Sequence, residues 1–244
     1  QHLKGESPKR TLPPVSIFVM GINQWRAETE WPLSRAVPTS FYLSGPGTSK
    51  TGLLTGAPER KETMDSFLFD PNNPFWDKSY EKSYPYDQRE NESRADVLVY
   101  TSDMLTADTE VIGEIVAELF VSSGARDTDF SFTLTDVSPD GKSINLHGLD
   151  AGYLRMRYRN GFEKQELMNP GEVYKIRIGQ VYTANRFLKG HRIRLTITSS
   201  KAPHYDPNPN TGTEIATEKN LVQTRNTVYR GGIRASRIIL PIVK

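Results

Sequence analysis

The sequence predicts an all-β protein, a jelly-roll β-sandwich, and three observations carry that expectation. Apolar residues recur at every second position through many short segments, the period of a half-buried strand. Turn residues such as Pro139-Asp-Gly141 separate these segments. Helical periodicity is sparse, amounting to one turn around 213–221.

Taken in order, Ser16-Ile-Phe-Val-Met20 is a continuous apolar run closed by Gly21, which predicts a strand buried on both faces. Ser40-Phe-Tyr-Leu43 is a second short strand, ended by Gly45-Pro-Gly47. From 44 to 95 the pattern breaks into Gly, Pro, Asn, charges and aromatics, with short strands near 52–54 and 66–69. So long a loop-rich stretch points to function or an interface. Beyond it, 96–101 is an apolar run, and Ile115, Ala117, Leu119 and Val121 share one face. Phe130, Phe132 and Leu134 alternate with Ser131, Thr133 and Thr135, the signature of a half-buried strand. Similar alternation marks Leu154, Met156 and Tyr158, then Tyr174, Ile176 and Ile178, then Ile193, Leu195 and Ile197. A last apolar run fills 238–243. No internal repeat is present.

Composition narrows the function. The 244 residues suffice for one large β domain or two small ones, and a mean hydropathy of −0.56 still permits a sandwich whose strands bury one face. Net charge is +2 with both signs interspersed, whereas nucleic-acid binding calls for clustered basic residues; no nucleic-acid partner is expected. The absence of cysteine excludes disulfides, Cys-ligated zinc and thiol catalysis. No run approaches the ~18 apolar residues of a membrane span, and 1–14 has no signal-peptide core, so no membrane partner is expected. The compartment stays open between cytoplasm and periplasm or exterior. The chain has no initiator Met, which suggests that it begins mid-protein.

No catalytic constellation is complete. The Gly-x-Ser-x-Gly elbow of α/β-hydrolases is missing. Ser79-Tyr-Glu-Lys82 and Lys50-Thr-Gly52 imitate penicillin-recognising motifs in reversed order, and Ser-Asp-Asn is not present. Among the histidines, His2 lies near the chain start, while His147 and His191 read as hydrogen-bonded turn residues. His204 shares a loop with Asp206 but has no serine partner by any motif. Asp206-Pro-Asn208-Pro-Asn210-Thr-Gly212 approaches a calcium loop, yet its Gly is one residue late and Glu218 misses the twelfth position by one. Its Asn and Asp side chains fit better as caps of their own backbone. Gly45-Pro-Gly47-Thr-Ser-Lys-Thr-Gly52 lacks the Gly-Lys-[Ser/Thr] of a phosphate loop. No cofactor and no metal are expected. Phe67, Phe69, Phe75, Trp76, Tyr80, Tyr84 and Tyr86 crowd the poorly periodic region. They suit either an exposed recognition surface or a satellite core under a long loop.

An ordered set of short words runs through the chain. It comprises His2-Leu-Lys-Gly5, Ile17-Phe-Val-Met-Gly21, Trp25-Arg26, Glu30-Trp-Pro-Leu33, Phe41-Tyr-Leu43, Asp87-Gln-Arg89 and Asp96-Val-Leu-Val-Tyr-Thr-Ser102. Asp127-Thr-Asp-Phe130, Arg155-Met-Arg-Tyr-Arg159, Pro170-Gly-Glu172, Gly190-His-Arg-Ile-Arg-Leu195 and Asn208-Pro-Asn-Thr-Gly212 follow. Together they resemble the C-terminal domain of the CocE/NonD serine hydrolases. That family holds cocaine esterases, α-amino-acid ester hydrolases, glutaryl-7-aminocephalosporanic-acid acylases and relatives of X-Pro dipeptidyl-peptidase.

The resemblance implies a galactose-binding-like jelly roll over 15–244, with 1–14 a linker from a missing catalytic domain. It implies a parent enzyme that hydrolyses an ester or amide through a Ser-Asp-His triad. All three triad residues precede the linker, so this chain alone is expected inactive and contributes no catalytic residue. The implied partners are the N-terminal α/β-hydrolase domain of the same parent chain and the parent's ester or amide substrate. Phe75, Trp76, Tyr80, Tyr84 and Tyr86 are then the candidates for a substrate-pocket wall or domain interface. Two departures stand out: Asn73-Pro-Phe-Trp-Asp-Lys-Ser-Tyr80 replaces a frequent Gly-Gly turn, and Ala202-Pro203 replaces Phe-Pro. A stand-alone carbohydrate-binding module and a homo-oligomerisation domain are the alternative readings.

Overall fold

The computed structural model describes residues 12–45, 51–76, 85–148 and 150–244. In chain order the strands are β1 (Val15–Val19), β2 (Gln24–Glu28), β3 (Ala36–Ser44), β4 (Thr51–Thr55), β5 (Thr63–Phe69), β6 (Leu98–Ser102) and β7 (Thr109–Ser123). They continue as β8 (Asp129–Val137), β9 (Ser143–Asn145), β10 (Tyr153–Arg155), β11 (Tyr174–Phe187), β12 (Arg192–Thr198), β13 (Thr224–Arg230) and β14 (Arg237–Val243). A short helix, α1 (Arg89–Glu92), precedes β6. The domain is all-β, as the sequence predicts, and among the described residues no helix is long and apolar enough to cross a membrane.

Twelve strands form one hydrogen-bonded path, β10-β8-β12-β6-β4-β3-β14-β7-β13-β5, with β9 added to β8 and β11 added to β7. The path folds into two layers because its inward side chains are apolar on both halves. Phe130, Phe132 and Leu134 from β8 and Ile193, Leu195 and Ile197 from β12 meet Ile115, Ala117 and Leu119 from β7 and Ile238 and Leu240 from β14 in one core. Among the described residues β4 and β6 are the parallel strand pair of the path, linking the β3 side to the β12 side.

Several elements differ from the sequence expectation. β1 pairs only with β2 in a separate hairpin, so its side chains alternate between exposed and covered and are not buried on both faces. The hairpin turn needs Gly21, whose φ is +83° and whose Cβ, were it present, would lie 2.1 Å from the Arg186 carbonyl oxygen. β8 goes the other way: all nine residues are buried, including Ser131, Thr133 and Thr135. The reason is a cover of polar segments that satisfy it. Ser131 Oγ donates to the Ser200 carbonyl at 3.2 Å, and the Thr135 and Ser143 hydroxyls share a hydrogen bond at 2.7 Å.

The alternation through Tyr158 ends early, since β10 stops at Arg155 and Met156–Tyr158 forms a 3-10 turn. Arg157 is drawn inward there by Asp127, which accepts both its backbone N–H (3.0 Å) and its Nε (2.7 Å). β13, with the sequence TRNTVYR, carries little apolar signal. It is held between β5 and β7, and Asn226 Nδ2 donates to Thr128 Oγ1 and Ser199 Oγ. Around 213–221 the structure has a single turn, closed by Glu218 N–H to the Glu214 carbonyl at 3.0 Å.

Candidate functional site

The aromatic-rich region resolves into three kinds of residue. Phe67 and Phe69 belong to β5 and to the main core. Phe75 is 4% exposed and forms a small cluster with Val97 and Val99, so it anchors the loop. Trp76 is 42% exposed and pairs as an isolated bridge with Ala202. The two departures noted in the sequence therefore meet in space. Tyr80 and Tyr84 lie outside the described residues, as do Ser79-Tyr-Glu-Lys82, Lys50, and the 1–11 part of the expected linker.

The far end of the same segment is fastened just as firmly. Tyr86 N–H donates to Asn145 Oδ1 at 2.9 Å, Asp87 bridges Ile144, and Gln88 N–H donates to the Ser143 carbonyl at 2.7 Å. Arg89 holds Asp87 through its guanidinium, and these bonds, with the Ser143 N–H, keep the Asp87 carboxyl below its usual range against the effect of burial. Tyr86 Oη reaches Glu90 Oε2 at 3.3 Å. Glu92 of α1 accepts from Ser143 Oγ and from Arg194 Nη1 at 2.6 Å, tying the helix to β9 and β12. The described residues on either side of 77–84 are thus both fastened to the sandwich, Phe75 and Trp76 on one side and Tyr86, Asp87 and Gln88 on the other.

The loop at 203–213 is built on buried charge. Asp127 and Asp129 flank Thr128 at the start of β8. Asn208 Nδ2 donates to both carboxylates, at 2.8 and 2.9 Å. Arg157 pairs with Asp127 and reaches the Thr213 carbonyl at 2.7 Å. Arg155 pairs with Asp129 at 3.1 Å and reaches the Asp206 carbonyl at 2.8 Å. Burial pushes the Asp129 carboxyl above its usual range even with Arg155 beside it, and it pushes Tyr153, whose hydroxyl donates to Asp129, well up. Asn210 N–H donates to Asn208 Oδ1, the self-capping turn anticipated for this loop. Among the described residues no group of three or more His, Cys, Asp and Glu side chains is placed to hold a metal ion.

The histidines divide by burial. His147 is enclosed: Nε2 accepts the Leu134 N–H at 3.1 Å and Nδ1 faces the Gly148 carbonyl at 2.9 Å, which requires the neutral Nδ1–H tautomer. Burial lowers its pKa to about 3. His191 sits at the mouth of a cleft of about 470 Å³ walled by Phe18, Met20, Gly21, Asn23, Pro85, Ser138, Ile144 and Leu146. Its Nδ1 meets Asp136 Oδ1 at 2.7 Å, and Asn185 Nδ2 donates to Asp136 Oδ2 at 3.1 Å. Sequence reasoning marked His191 but found no carboxylate for it, because Asp136 lies 55 residues away. Ser138 lines the same cleft, yet its hydroxyl donates to Asp140 at 2.5 Å. A carboxylate and an imidazole are in place, then, but the serine is turned away from them.

Comparison with known proteins agrees with this all-β sandwich. The model of the X-Pro dipeptidyl-peptidase C-terminal non-catalytic domain matches residues 9–239. The cocaine esterase of Rhodococcus sp. (strain MB1 Bresler) is 41% identical over the whole of this chain, which spans 44% of that protein. An aminopeptidase structure from the marine sediment archaeon Thaumarchaeota archaeon superposes with a TM-score of 0.86 at 28% identity, covering 98% of this chain and 42% of that one. An α-amino acid ester hydrolase structure gives 0.86 at 25% identity over 96% of this chain and 42% of its own. The chain therefore spans less than half the length of these relatives. By the match along nearly its whole length, it belongs to the family of X-Pro dipeptidyl-peptidase C-terminal non-catalytic domains, the C-terminal domain type of the CocE/NonD hydrolases.

Proposed function

We propose that this domain packs on the N-terminal α/β-hydrolase domain of a longer serine hydrolase and that its 75–86 segment helps wall the acyl pocket there. The parent reaction is acyl transfer to water: a serine attacks an ester or amide carbonyl, a histidine moves the proton, and backbone N–H groups hold the oxyanion. All of that chemistry belongs to the other domain. This chain supplies position and surface.

One observation supports the reading above the rest. The two described ends of the 75–86 segment are both pinned to the sandwich, by the buried Phe75 and the Trp76–Ala202 bridge at one end and by Tyr86, Asp87 and Gln88 at the other. Pinned stems let a loop present side chains at a fixed position. Trp76 and Tyr86 are the described aromatics in that position. The relatives' greater length provides the partner, since more than half of each lies outside the matched part.

Two measurements test it. The 244-residue chain alone should not hydrolyse p-nitrophenyl esters. Turnover that copurifies with it and is blocked by a fluorophosphonate overturns the proposal. In the intact parent, Trp76→Ala should raise KM for esters with bulky acyl groups by about tenfold, a loss on the scale of one apolar contact, and leave kcat close to unchanged. An identical KM for bulky and small acyl groups in wild type and variant removes the pocket-wall role.

A further inference from the structure

The cleft beside the β1–β2 turn has the make-up of a small-molecule site, and it shares Pro85 with the segment proposed above as a pocket wall. Its volume, about 470 Å³, falls within the ~300–1,000 Å³ of ligand pockets. Phe18, Met20, Ile144 and Leu146 give it apolar walls, and Asp136, Asn185 and His191 in its lining are joined by hydrogen bonds. Phe18 is 40% exposed although it is a large apolar side chain on a short hairpin strand. It makes an edge contact with Trp25, their rings 5.5 Å apart, and so holds the rim in place.

The polar side is organised. Asp136 is buried at the end of β8, and Asn185 on β11 holds one of its oxygens. The other oxygen accepts Nδ1–H of His191. A carboxylate on Nδ1 fixes the tautomer, leaving the lone pair of the neutral ring on Nε2. Nε2 takes no hydrogen bond from the described residues, and His191 lines the cleft. An oriented acceptor at the edge of an apolar chamber suits a ligand with an apolar body and a hydroxyl donor. An anion is disfavoured, because the Asp136 carboxylate stands one ring's width behind Nε2 in a site where burial already opposes negative charge.

We propose that this cleft binds a small aryl or branched-alkyl alcohol, its body against Phe18, Met20, Ile144 and Leu146 and its hydroxyl donating to Nε2 of His191. The site is distinct from the 75–86 segment's exposed Trp76, and its ligand need not be a substrate of the parent.

Benzyl alcohol is the probe. Titrated into the 244-residue chain and followed by ¹H–¹⁵N correlation spectra, it should give saturable shifts centred on Gly21, Ile144, Asn185 and His191, with a Kd of about 1 mM. Benzyl methyl ether, which cannot donate, should bind about fivefold more weakly, the worth of one neutral hydrogen bond. His191→Phe should weaken benzyl alcohol by the same factor and leave the ether unchanged, while Phe18→Ala should weaken both. The proposal is overturned by shifts that do not saturate or that spread away from the cleft, by equal affinity for alcohol and ether, or by benzoate binding more tightly than benzyl alcohol, which would make this an anion site. Because the ether comparison needs no variant, it decides even if His191→Phe does not fold. Binding by the 244-residue chain that disappears in the intact parent also overturns it, since the parent's own chain would then fill the cleft. None of these outcomes bears on ester turnover, which tests the acyl-pocket role separately.

Discussion

The two ends of β8 carry the same chemistry in opposite settings. At its start, Asp127 and Asp129 are buried among Arg155, Arg157 and Asn208, with every partner bonded and the loop at 203–213 drawn over them. At its finish, Asp136 is nearly as buried, but its partner His191 faces a cleft. One end is a closed lattice and the other an open edge. Carboxylates in one strand thus serve as structural ties or as a cleft-facing pair according to what covers them, and the cover comes from distant parts of the chain.

The largest break in that comparison is Arg157→Ala. It strands the Asp127 carboxylate in a site that is 0% exposed, and removing one partner of a buried pair costs about 3–5 kcal/mol. Urea denaturation should show a loss of this size with an unchanged slope. A loss below 1 kcal/mol would mean the lattice is not a tie.

Next comes the pH response of His147. Its folded pKa, about 3, lies below the ordinary value of 6.5. Between those values the unfolded chain binds the extra proton and the folded chain does not. Stability is therefore full above about pH 6.5 and falls as pH drops toward 3, with a slope approaching about 1.4 kcal/mol per pH unit. His147→Gln should flatten stability against pH in that window, measured by denaturation at fixed pH steps. An unaltered slope would show that the ring already protonates in the fold.

Asp136→Asn tests the open end. The amide keeps the shape and an oxygen acceptor for His191, so it should cost about 1 kcal/mol, well under Arg157→Ala. Burial raises the Asp136 pKa. Its neutral form is then favoured by folding, and its contribution is lost as pH rises through the folded pKa. The variant should accordingly lose least at neutral pH and most in acid. Equal costs at the two ends of β8 would erase the distinction between tie and open pair. The smallest effect is expected for Trp76→Ala, which should change the stability of the chain by only about 0.5 kcal/mol because its ring is partly exposed and its bridge to Ala202 is made by backbone. A cost above 2 kcal/mol would place its ring in the core.

Much of the fold was legible without coordinates, and the reasons are visible in particular strands. β7, β11, β12 and β14 have apolar residues at alternate positions, so both their existence and their inward faces follow from the period of the pleat. β13 was not legible, because Asn226, Thr227 and Arg230 are buried by hydrogen bonds and an ion pair to Asp65 and not by apolar contact. β2, with the sequence QWRAE, was missed because its strand state depends on pairing with β1 across the Gly21 turn. The candidate site was legible in half. His191 and the aromatic run stood out by residue type, but nothing in the sequence distinguished the buried Phe75 from the exposed Trp76 beside it.

The sequence by itself determined the all-β class, the placement of most strands, the lack of a nucleophile elbow and, through its ordered short words, the family. These are properties of nearest neighbours and of local periods. Only the tertiary structure decided which polar residues are enclosed and which stay open: Asp127 with Arg157 across 30 residues, Asp136 with His191 across 55, Asp65 with Arg230 across 165. Such pairs are set by how the two layers and their loops close over one another, and burial, which exists only in the closed layers, then fixes what each charge can do.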